Sequence, residues 1–252
     1  MLATSDYVPL MIRSEVTGNV LELTIDRPDR RNAVDHAMLD VLAVRLAEPA
    51  TEGIRVALLT GADGHFCAGA DLTGVEDQAF LDLLQQVLER LATAPFVTIA
   101  AVDGVALGAG TQLAVACDLR VATERATFGI PAAKLGLAVD TWTVGRVALL
   151  AGHGTARSML LAADVIDGAR AHQLGLVQRL GTLDDARAWA TEVAALAPLT
   201  IQAHKAGLQA ASTPPTATPA ATSARDRAWA SADLKEGLAA FRDRRPPSFI
   251  GR

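Results

Sequence analysis

The sequence has little of what marks several specialised classes of protein. It contains only two cysteines, Cys67 and Cys117, too few for a disulfide framework and without the spacing of a metal site. Its net charge is −5 with a pI near 5.5, and no basic stretch suited to nucleic acid stands out. No apolar run reaches about 18 residues, and the N-terminus lacks the pattern of a signal peptide. We therefore predict a cytoplasmic protein with reduced thiols, no metal, no membrane span and no nucleic-acid partner.

Half of the 252 residues are hydrophobic, which permits a sizeable core and excludes wholesale disorder. Short apolar and β-branched runs predict strands, and apolar residues at helical spacing predict helices between them. This alternation indicates an α/β domain whose sheets are mostly buried. The predicted strands are Val20–Ile25, Arg55–Thr60, Phe96–Val102 and Asp118–Ala122, and the predicted helices of this part are Asp35–Glu48, Glu76–Ala92 and Thr111–Ala116.

From about Thr141 onward the pattern is almost entirely helical. The Pro/Thr/Ala-rich segment Thr213–Thr222 is expected to be an exposed loop between helices at Thr200–Ala211 and Ser223–Arg244. The length fits one large domain, or one domain with a small appendage. We accordingly divide the chain into a core over residues 1–195 and a C-terminal helical region over residues 196–252.

Two glycine-rich turns each follow a predicted buried strand and lead toward a helix. We name them the first glycine turn, His65–Leu72, and the second glycine turn, Gly104–Gly110. Small residues let a ligand approach the backbone, and free N–H groups at a helix start can hold developing negative charge. Two such groups aimed at one oxygen would form an oxyanion hole. The glycine spacing of the second turn matches neither the dinucleotide fingerprint nor the phosphate loop.

The two turns and their surroundings resemble motifs of the crotonase (enoyl-CoA hydratase/isomerase) superfamily. The resemblance follows the family order over nearly the whole chain, and four motifs in that order argue against an accidental match. Within the superfamily, the sequence is most similar to a mycobacterial-type paralogue group of enoyl-CoA hydratases. The segments that carry the resemblance are Arg27–Ala33, Leu59–Leu72, Ala101–Leu119, Phe128–Pro131, Lys134–Gly136, Ala171–Val177 and Arg244–Pro247.

This resemblance implies a spiral of ββα units with a C-terminal helical trimerisation region, assembled as homotrimers or dimers of trimers. It implies acyl-CoA thioester ligands in lipid metabolism and no tightly bound cofactor besides the coenzyme A of the ligand. By motif, the backbone N–H groups of Ala70 and Ala109 would form the oxyanion hole, and Arg31 would lie near the adenine end. The other implied ligand-binding residues are Ala68, Gly69, Asp71, Leu72, Gly108, Gln112, Ala132, Asp140 and Trp142.

The sequence departs from the family at the two positions where hydratases carry catalytic glutamates. The resemblance places these positions at Gln112 and Ala132. An amide can hydrogen-bond a water but cannot take its proton, and a methyl group can do neither. Because acid–base catalysis contributes about 10²–10⁴-fold, ordinary hydration is not expected of this chain.

Asp140 is the carboxylate that remains nearby by motif, and two interpretations of it stay open. Some family members, such as dienoyl-CoA isomerases, keep a catalytic aspartate at this position. Asp140 also directly precedes the predicted helix at Thr141, where it would serve as an N-cap. The corresponding functions are acyl-CoA binding without normal hydratase turnover, or isomerase, thioester hydrolase or dehalogenase chemistry with Asp140 as base or nucleophile. A purely structural oligomer is disfavoured, because both glycine turns are intact.

Overall fold

The computed structural model describes residues 11–47, 53–73, 77–211 and 219–251. In these ranges the strands are β1 (Ile12–Thr17), β2 (Val20–Ile25), β3 (Val56–Gly61), β4 (Val97–Val102), β5 (Val105–Leu107), β6 (Leu119–Ala122), β7 (Thr127–Gly129), β8 (Val165–Asp167) and β9 (Arg179–Leu180). The α-helices are α1 (His36–Ala47), α2 (Gln78–Thr93), α3 (Ala109–Ala116), α4 (Thr141–Leu161), α5 (Gly168–Gln173), α6 (Leu183–Ala194), α7 (Pro198–Ala211), α8 (Pro219–Trp229) and α9 (Ala232–Arg242). Short 3-10 helices span Pro28–Arg30 and Pro131–Leu135.

The strands form two sheets. The long sheet has the order β1-β2-β3-β4-β6-β9, in which β1 is antiparallel to β2 and every other pair is parallel. The short sheet has the order β5-β7-β8. Parallel strands need crossover connections, and here helices and the short sheet supply them. The predicted α/β class is therefore confirmed.

Successive turns of the chain visit both sheets in the same way. β4 lies in the long sheet and is followed by β5 in the short sheet, and β6 is likewise followed by β7. After β3 the chain makes an isolated parallel bridge from Cys67 to Ala106 of β5. Each turn thus contributes one long-sheet strand and one segment beside it, which stacks the ββα units along the chain as a spiral.

Both faces of the long sheet are buried, and this explains the continuous apolar runs of its strands. Ala57 and Leu59 of β3 belong to the main core, which also contains the buried faces of α1, α2 and α3. Val56 and Leu58 point to the opposite face and pack with α6 in a second cluster. The two-residue period of the strand thereby divides the side chains of β3 between two hydrophobic layers.

The structure confirms the four predicted strands, with β3 running from residue 56 to 61 and β4 starting one residue late. It adds β1, β5, β7, β8 and β9, which the sequence pattern does not predict. The prediction of an almost entirely helical chain from about Thr141 onward is wrong for β8 and β9. Residues 213–218 of the predicted loop Thr213–Thr222 lie outside the described residues. Its last four residues, 219–222, belong to α8, so the loop prediction is wrong for them. The single helix predicted over Ser223–Arg244 is two helices, because Ser231 caps the start of α9.

The C-terminal helices contact the rest of the chain through specific polar groups. Lys205 of α7 donates to Asp118 Oδ2 over 2.7 Å, and Trp229 Nε1 of α8 donates to the carbonyl of Ala138 over 2.8 Å. The division at residue 196 stays a prediction. Among the described residues, no helix combines the length and apolar character needed to cross a bilayer.

Gly110 offers a test of how closely the two glycine turns pack. A Cβ at this position would lie 2.1 Å from the carbonyl oxygen of Cys67, so Gly110→Ala forces backbone to move and should lower the free energy of unfolding by about 1–3 kcal/mol or more. The matched control is Gly207→Ala in α7, where a Cβ meets nothing within 4 Å, and which should raise stability by about 0.4–1 kcal/mol. Urea denaturation measures both, and wild-type stability of Gly110→Ala would contradict the packing.

Candidate functional site

The two glycine turns lie side by side and are joined by backbone hydrogen bonds. The N–H of Phe66 donates to the carbonyl of Asp103 over 2.8 Å, and the N–H of Cys67 donates to that of Val105 over 2.9 Å. In return, the N–H of Leu107 donates to the carbonyl of Cys67 over 3.0 Å. Residues far apart in sequence therefore form one continuous surface at this end of the sheets.

At this surface two neighbouring backbone donors are free. Val34 pairs with the residues on either side of Ala70, since its N–H donates to Gly69 O and its carbonyl accepts from Asp71 N. Ala109 is the first residue of α3, where an N–H has no partner within the helix. Among the described residues, neither the N–H of Ala70 nor that of Ala109 donates a hydrogen bond.

In each turn, the position directly before the free donor requires glycine. Gly69 has φ 125° and Gly108, the N-cap of α3, has φ 53° and ψ −117°, which side chains other than glycine rarely adopt. A Cβ on Gly108 would meet the Cα of Gly69 at 3.8 Å. Gly69 and Gly108 are therefore adjacent across the two turns, and each is followed directly by one of the free donors.

Gln112 lies one helical turn beyond Ala109 and belongs to a closed polar network. Its side chain is 6% exposed. Its Nε2 donates to Thr143 Oγ1 over 2.9 Å and to Asp140 Oδ2 over 3.2 Å. Thr143 Oγ1 donates to Asp140 Oδ2 over 2.6 Å. The network joins α3 to the start of α4 and fixes the orientation of the Gln112 amide.

Asp140 is the N-cap of α4. Its Oδ1 accepts from the N–H of Thr143 over 2.9 Å, so the helix-cap interpretation is confirmed by geometry. With the bonds from Gln112 and the Thr143 hydroxyl, three donors converge on this half-buried carboxylate. Whether Asp140 also acts in catalysis stays a separate hypothesis.

The predicted apolar residues of the acyl region are partly buried and pack against the main core. Ala132 lies in the 3-10 helix Pro131–Leu135, and Trp142 is the second residue of α4. α4 contacts both this 3-10 helix and α3. Ala70 and Leu72 of the first glycine turn pack against the same core. The structure therefore places Gln112, Ala132, Asp140 and Trp142 on elements that contact one another.

Arg27 in the first motif supports the segment that carries Ala70. Its Nη1 lies 2.8 Å from Asp71 Oδ2 and 3.3 Å from Asp35 Oδ2. Burial, the largest single influence, raises the pKa of Asp71, but the hydrogen bonds from Thr73 and from Arg27 outweigh it and hold the pKa below its usual value. Asp71 therefore stays ionised at neutral pH, and the ion pair fixes the end of the first glycine turn.

Asn32 is a supporting residue that the sequence reading did not single out. It is fully buried and has φ 61°, in the left-handed region that asparagine tolerates. Its Nδ2 donates to the carbonyls of Ala62 and His65 over 2.9 and 2.6 Å, and its Oδ1 accepts from the N–H of Arg27 over 2.8 Å. Asparagine is enriched at positive φ, and this enrichment is the signal that the sequence offers for such a supporting role.

Arg31 is exposed and sits at φ 48° in the same loop. Its carbonyl accepts from the N–H of Ala68 over 3.0 Å, which ties it to the first glycine turn. No described residue forms an ion pair or hydrogen bond with its guanidinium. The side chain is thus available to an anionic group, and its predicted role at the adenine end stays a prediction.

Cys67 and Cys117 are both fully buried free thiols. Burial raises the pKa of each to about 12, so neither forms the thiolate that a nucleophile or metal ligand requires. Among the described residues, no group of three or more His, Cys, Asp or Glu side chains is arranged to hold a metal ion. The site is thus built from backbone donors and a closed amide–carboxylate network.

The sequence matches the family described as enoyl-CoA hydratase/isomerase over residues 15–252. The chain belongs to the enoyl-CoA hydratase/isomerase family. It is 41% identical to the protein described as probable enoyl-CoA hydratase echA6 of Mycobacterium tuberculosis, over 92% of this chain and 96% of that protein. This family membership confirms the resemblance to crotonases and to a mycobacterial-type hydratase.

Solved structures confirm the crotonase-type fold. An enoyl-CoA hydratase/carnithine racemase from Magnetospirillum magneticum is similar with a TM-score of 0.75 at 30% identity, covering 96% of each chain. Methylmalonyl-CoA decarboxylase is similar in fold alone, with a TM-score of 0.88 at 22% identity, over 96% of this chain and 98% of that one. The spiral of strands described above is therefore the fold of this family.

Asn32→Asp tests the support beneath the first glycine turn. The change keeps the acceptor for Arg27 N but replaces two buried donors with an oxygen that faces the carbonyls of Ala62 and His65. We expect the free energy of unfolding to fall by about 3 kcal/mol or more. The same change at exposed Asn19, which donates to the carbonyl of Gly53, should cost less than about 1 kcal/mol. Equal losses in urea denaturation of the two variants would contradict the proposed support.

Proposed function

We propose that this protein binds fatty acyl-CoA thioesters in lipid metabolism and does not hydrate enoyl-CoA at the rate of a normal hydratase. The observation that carries the proposal is the state of Gln112. By motif it stands at the family's first glutamate position, one turn of α3 after Ala109. The two hydrogens of its Nε2 are donated to Thr143 and Asp140. With Ala132 at the second position, neither family position supplies a group that can take a proton from water.

The binding half of the proposal is supported by the two free backbone donors. Ala70 N and Ala109 N would hold the thioester oxygen, and the residues from Ala68 to Leu72 and Gly108 would border the pantetheine path. Donors that are fixed before the ligand arrives lose little conformational entropy on binding. The names of the similar proteins, enoyl-CoA hydratases, point to the same class of ligand.

The alternative function uses Asp140 as base or nucleophile in a related reaction. It is favoured by the position of this half-buried carboxylate next to Gln112. Three donors already occupy the carboxylate, so accepting a proton from a substrate would require at least one of these bonds to break. For this reason we place it second.

Assembly as a homotrimer or dimer of trimers remains a proposal from the family resemblance. Large apolar side chains that stay exposed on α4 and α9 fit a subunit interface: Leu149 is 52%, Leu161 73% and Phe241 60% exposed. The cytoplasmic location likewise remains a prediction.

Titration of the purified protein with crotonyl-CoA and palmitoyl-CoA tests the main proposal. We expect binding by calorimetry, together with hydration of crotonyl-CoA, followed by loss of enoyl absorbance, at least about 10²–10⁴-fold below that of a hydratase with both glutamates. Asp140→Asn, assayed in parallel against isomerisation and thioester hydrolysis, should change no turnover. Hydration at a normal rate would overturn the proposal, and a reaction that Asp140→Asn abolishes would establish the alternative.

Ala109→Pro tests the oxyanion hole. Proline is favoured at the first position of a helix, so this change removes one N–H while α3 is retained. The wild-type protein should bind butyryl-CoA about tenfold more tightly than S-butyl-CoA, a thioether that lacks the carbonyl oxygen. In Ala109→Pro that ratio should fall to about 2 or less. An unchanged ratio in a folded variant would exclude Ala109 N as the oxygen-binding donor.

A further inference from the structure

The direction of the free N–H of Ala70 is determined by one backbone hydrogen bond. This N–H and the carbonyl of Gly69 belong to the same planar trans peptide unit, so they point in opposite directions. The carbonyl of Gly69 accepts from the N–H of Val34 over 2.9 Å. The N–H of Ala70 therefore points away from Val34, and a movement of Val34 relative to the first glycine turn would redirect this donor.

Arg27 connects the two segments that form this hydrogen bond. Its Nη1 lies 3.3 Å from the carbonyl oxygen of Ala33 and 3.3 Å from Asp35 Oδ2, on either side of Val34. The same nitrogen lies 2.8 Å from Asp71 Oδ2. One side-chain nitrogen thus joins both neighbours of Val34 to the residue that directly follows the free donor.

The ion pairs of Arg27 are shielded from solvent, and two carboxylates depend on this one cation. The side chains of Arg27 and Asp71 are 18% and 14% exposed, and that of Asp35 is 28% exposed. Charges at such positions interact more strongly than charges in water. Without the guanidinium, the two carboxylates that now contact the same nitrogen would repel each other. This repulsion would separate the segments that carry Val34 and Ala70.

We infer that Arg27 is a positioning residue for the thioester oxygen, because it sets the direction of the Ala70 N–H through Val34. The inference rests on the proposed function, since it assumes that the N–H groups of Ala70 and Ala109 hold this oxygen. Arg27 acts through the backbone and not through contact with the ligand. A residue that only stabilised the fold would affect all ligands alike, whereas Arg27 affects recognition of the oxygen.

The test is calorimetric titration of the variant Arg27→Met with butyryl-CoA and with S-butyl-CoA, the thioether without the carbonyl oxygen. The wild-type protein is expected to bind butyryl-CoA about tenfold more tightly. In Arg27→Met this ratio should fall to about 2 or less, while the affinity for S-butyl-CoA stays within about 2-fold of wild type. The matched control is Arg13→Met. Arg13 pairs with Asp26 over 2.7 Å but is 61% exposed, so its loss should leave the ratio unchanged.

Arg27→Lys is the conservative variant for rescue. The three contacts of the Arg27 side chain described above all use Nη1, and a lysine ammonium is likewise a single nitrogen with positive charge and three donors. This variant should therefore keep a ratio of about 5 or more. A ratio as low as that of Arg27→Met would contradict positioning by the charge at this position.

Asp71→Asn tests the same ion pair from its other side and replaces Arg27→Met if that variant does not fold. Asp71 Oδ1 accepts from the N–H of Thr73 over 3.1 Å while Oδ2 contacts Arg27, so an amide can serve only one of the two donors. The ratio should fall to about 3 or less.

The outcomes separate this inference from the proposed function. A tenfold ratio in folded Arg27→Met or Asp71→Asn would overturn the positioning role and leave thioester binding intact. Equal binding of butyryl-CoA and S-butyl-CoA by the wild-type protein would overturn the oxygen-binding donors together with the inference. If the wild-type protein binds neither ligand, the proposed function as a whole is overturned.

Discussion

The backbone of α3 passes so close to the first glycine turn that the carbonyl oxygen of Cys67 occupies the space where a side chain at position 110 would begin. That approach depends on Gly110 and on the bridge between Cys67 and Ala106. Thr111 stabilises the same approach. Its hydroxyl lies within hydrogen-bond distance of the carbonyls of Ala106 and Gly129 and accepts a hydrogen bond from the N–H of Gly129. Two consecutive residues of the helix, Gly110 and Thr111, thus hold α3 against the first glycine turn and the short sheet.

The two ends of α3 differ in whether their backbone groups have hydrogen-bond partners. At its start, the N–H of Ala109 has no partner among the described residues. At its end, fully buried Arg120 donates to the carbonyls of Ala114 and Cys117. Burial lowers the pKa of Arg120 to about 10, so the guanidinium remains charged at neutral pH and complements the negative end of the helix dipole. The helix is thus held at its C-terminus as well as at Gly110 and Thr111, while the N–H of Ala109 remains free among the described residues.

Much of this architecture could be predicted from sequence because buried parallel strands are read directly as apolar runs. β2, β3, β4 and β6 were predicted for that reason, and the glycine turns were found from the residues that follow two of them. β5, β7, β8 and β9 have only two or three residues each, too short for any period to be recognised. Their pairing partners lie in distant parts of the chain, so the local sequence pattern cannot predict the pairing.

Some residues of the candidate site could likewise be predicted from the sequence and others could not. The motif residues that expose backbone N–H groups could be predicted, because glycine and small residues signal an unusual backbone locally. The roles of Asn32, Arg27 and Thr143 could not, because each depends on a partner that only the folded chain supplies. The helix cap at Asp140 is one of two interpretations that the sequence leaves open, and the structure confirms it. The hydrogen bond from Gln112 to Asp140 joins residues 28 positions apart and could not be predicted.

This last contact subjects the side chain at position 112 to an electrostatic condition. Nε2 of Gln112 lies 3.2 Å from Asp140 Oδ2. A glutamate at position 112 in the same rotamer would bring a second negative charge to that oxygen in a partly buried site, where like charges repel strongly. An uncharged amide at position 112 avoids this repulsion with Asp140, which caps α4 by accepting from the N–H of Thr143. An ionised glutamate at position 112 is therefore disfavoured for as long as the carboxylate of Asp140 caps α4.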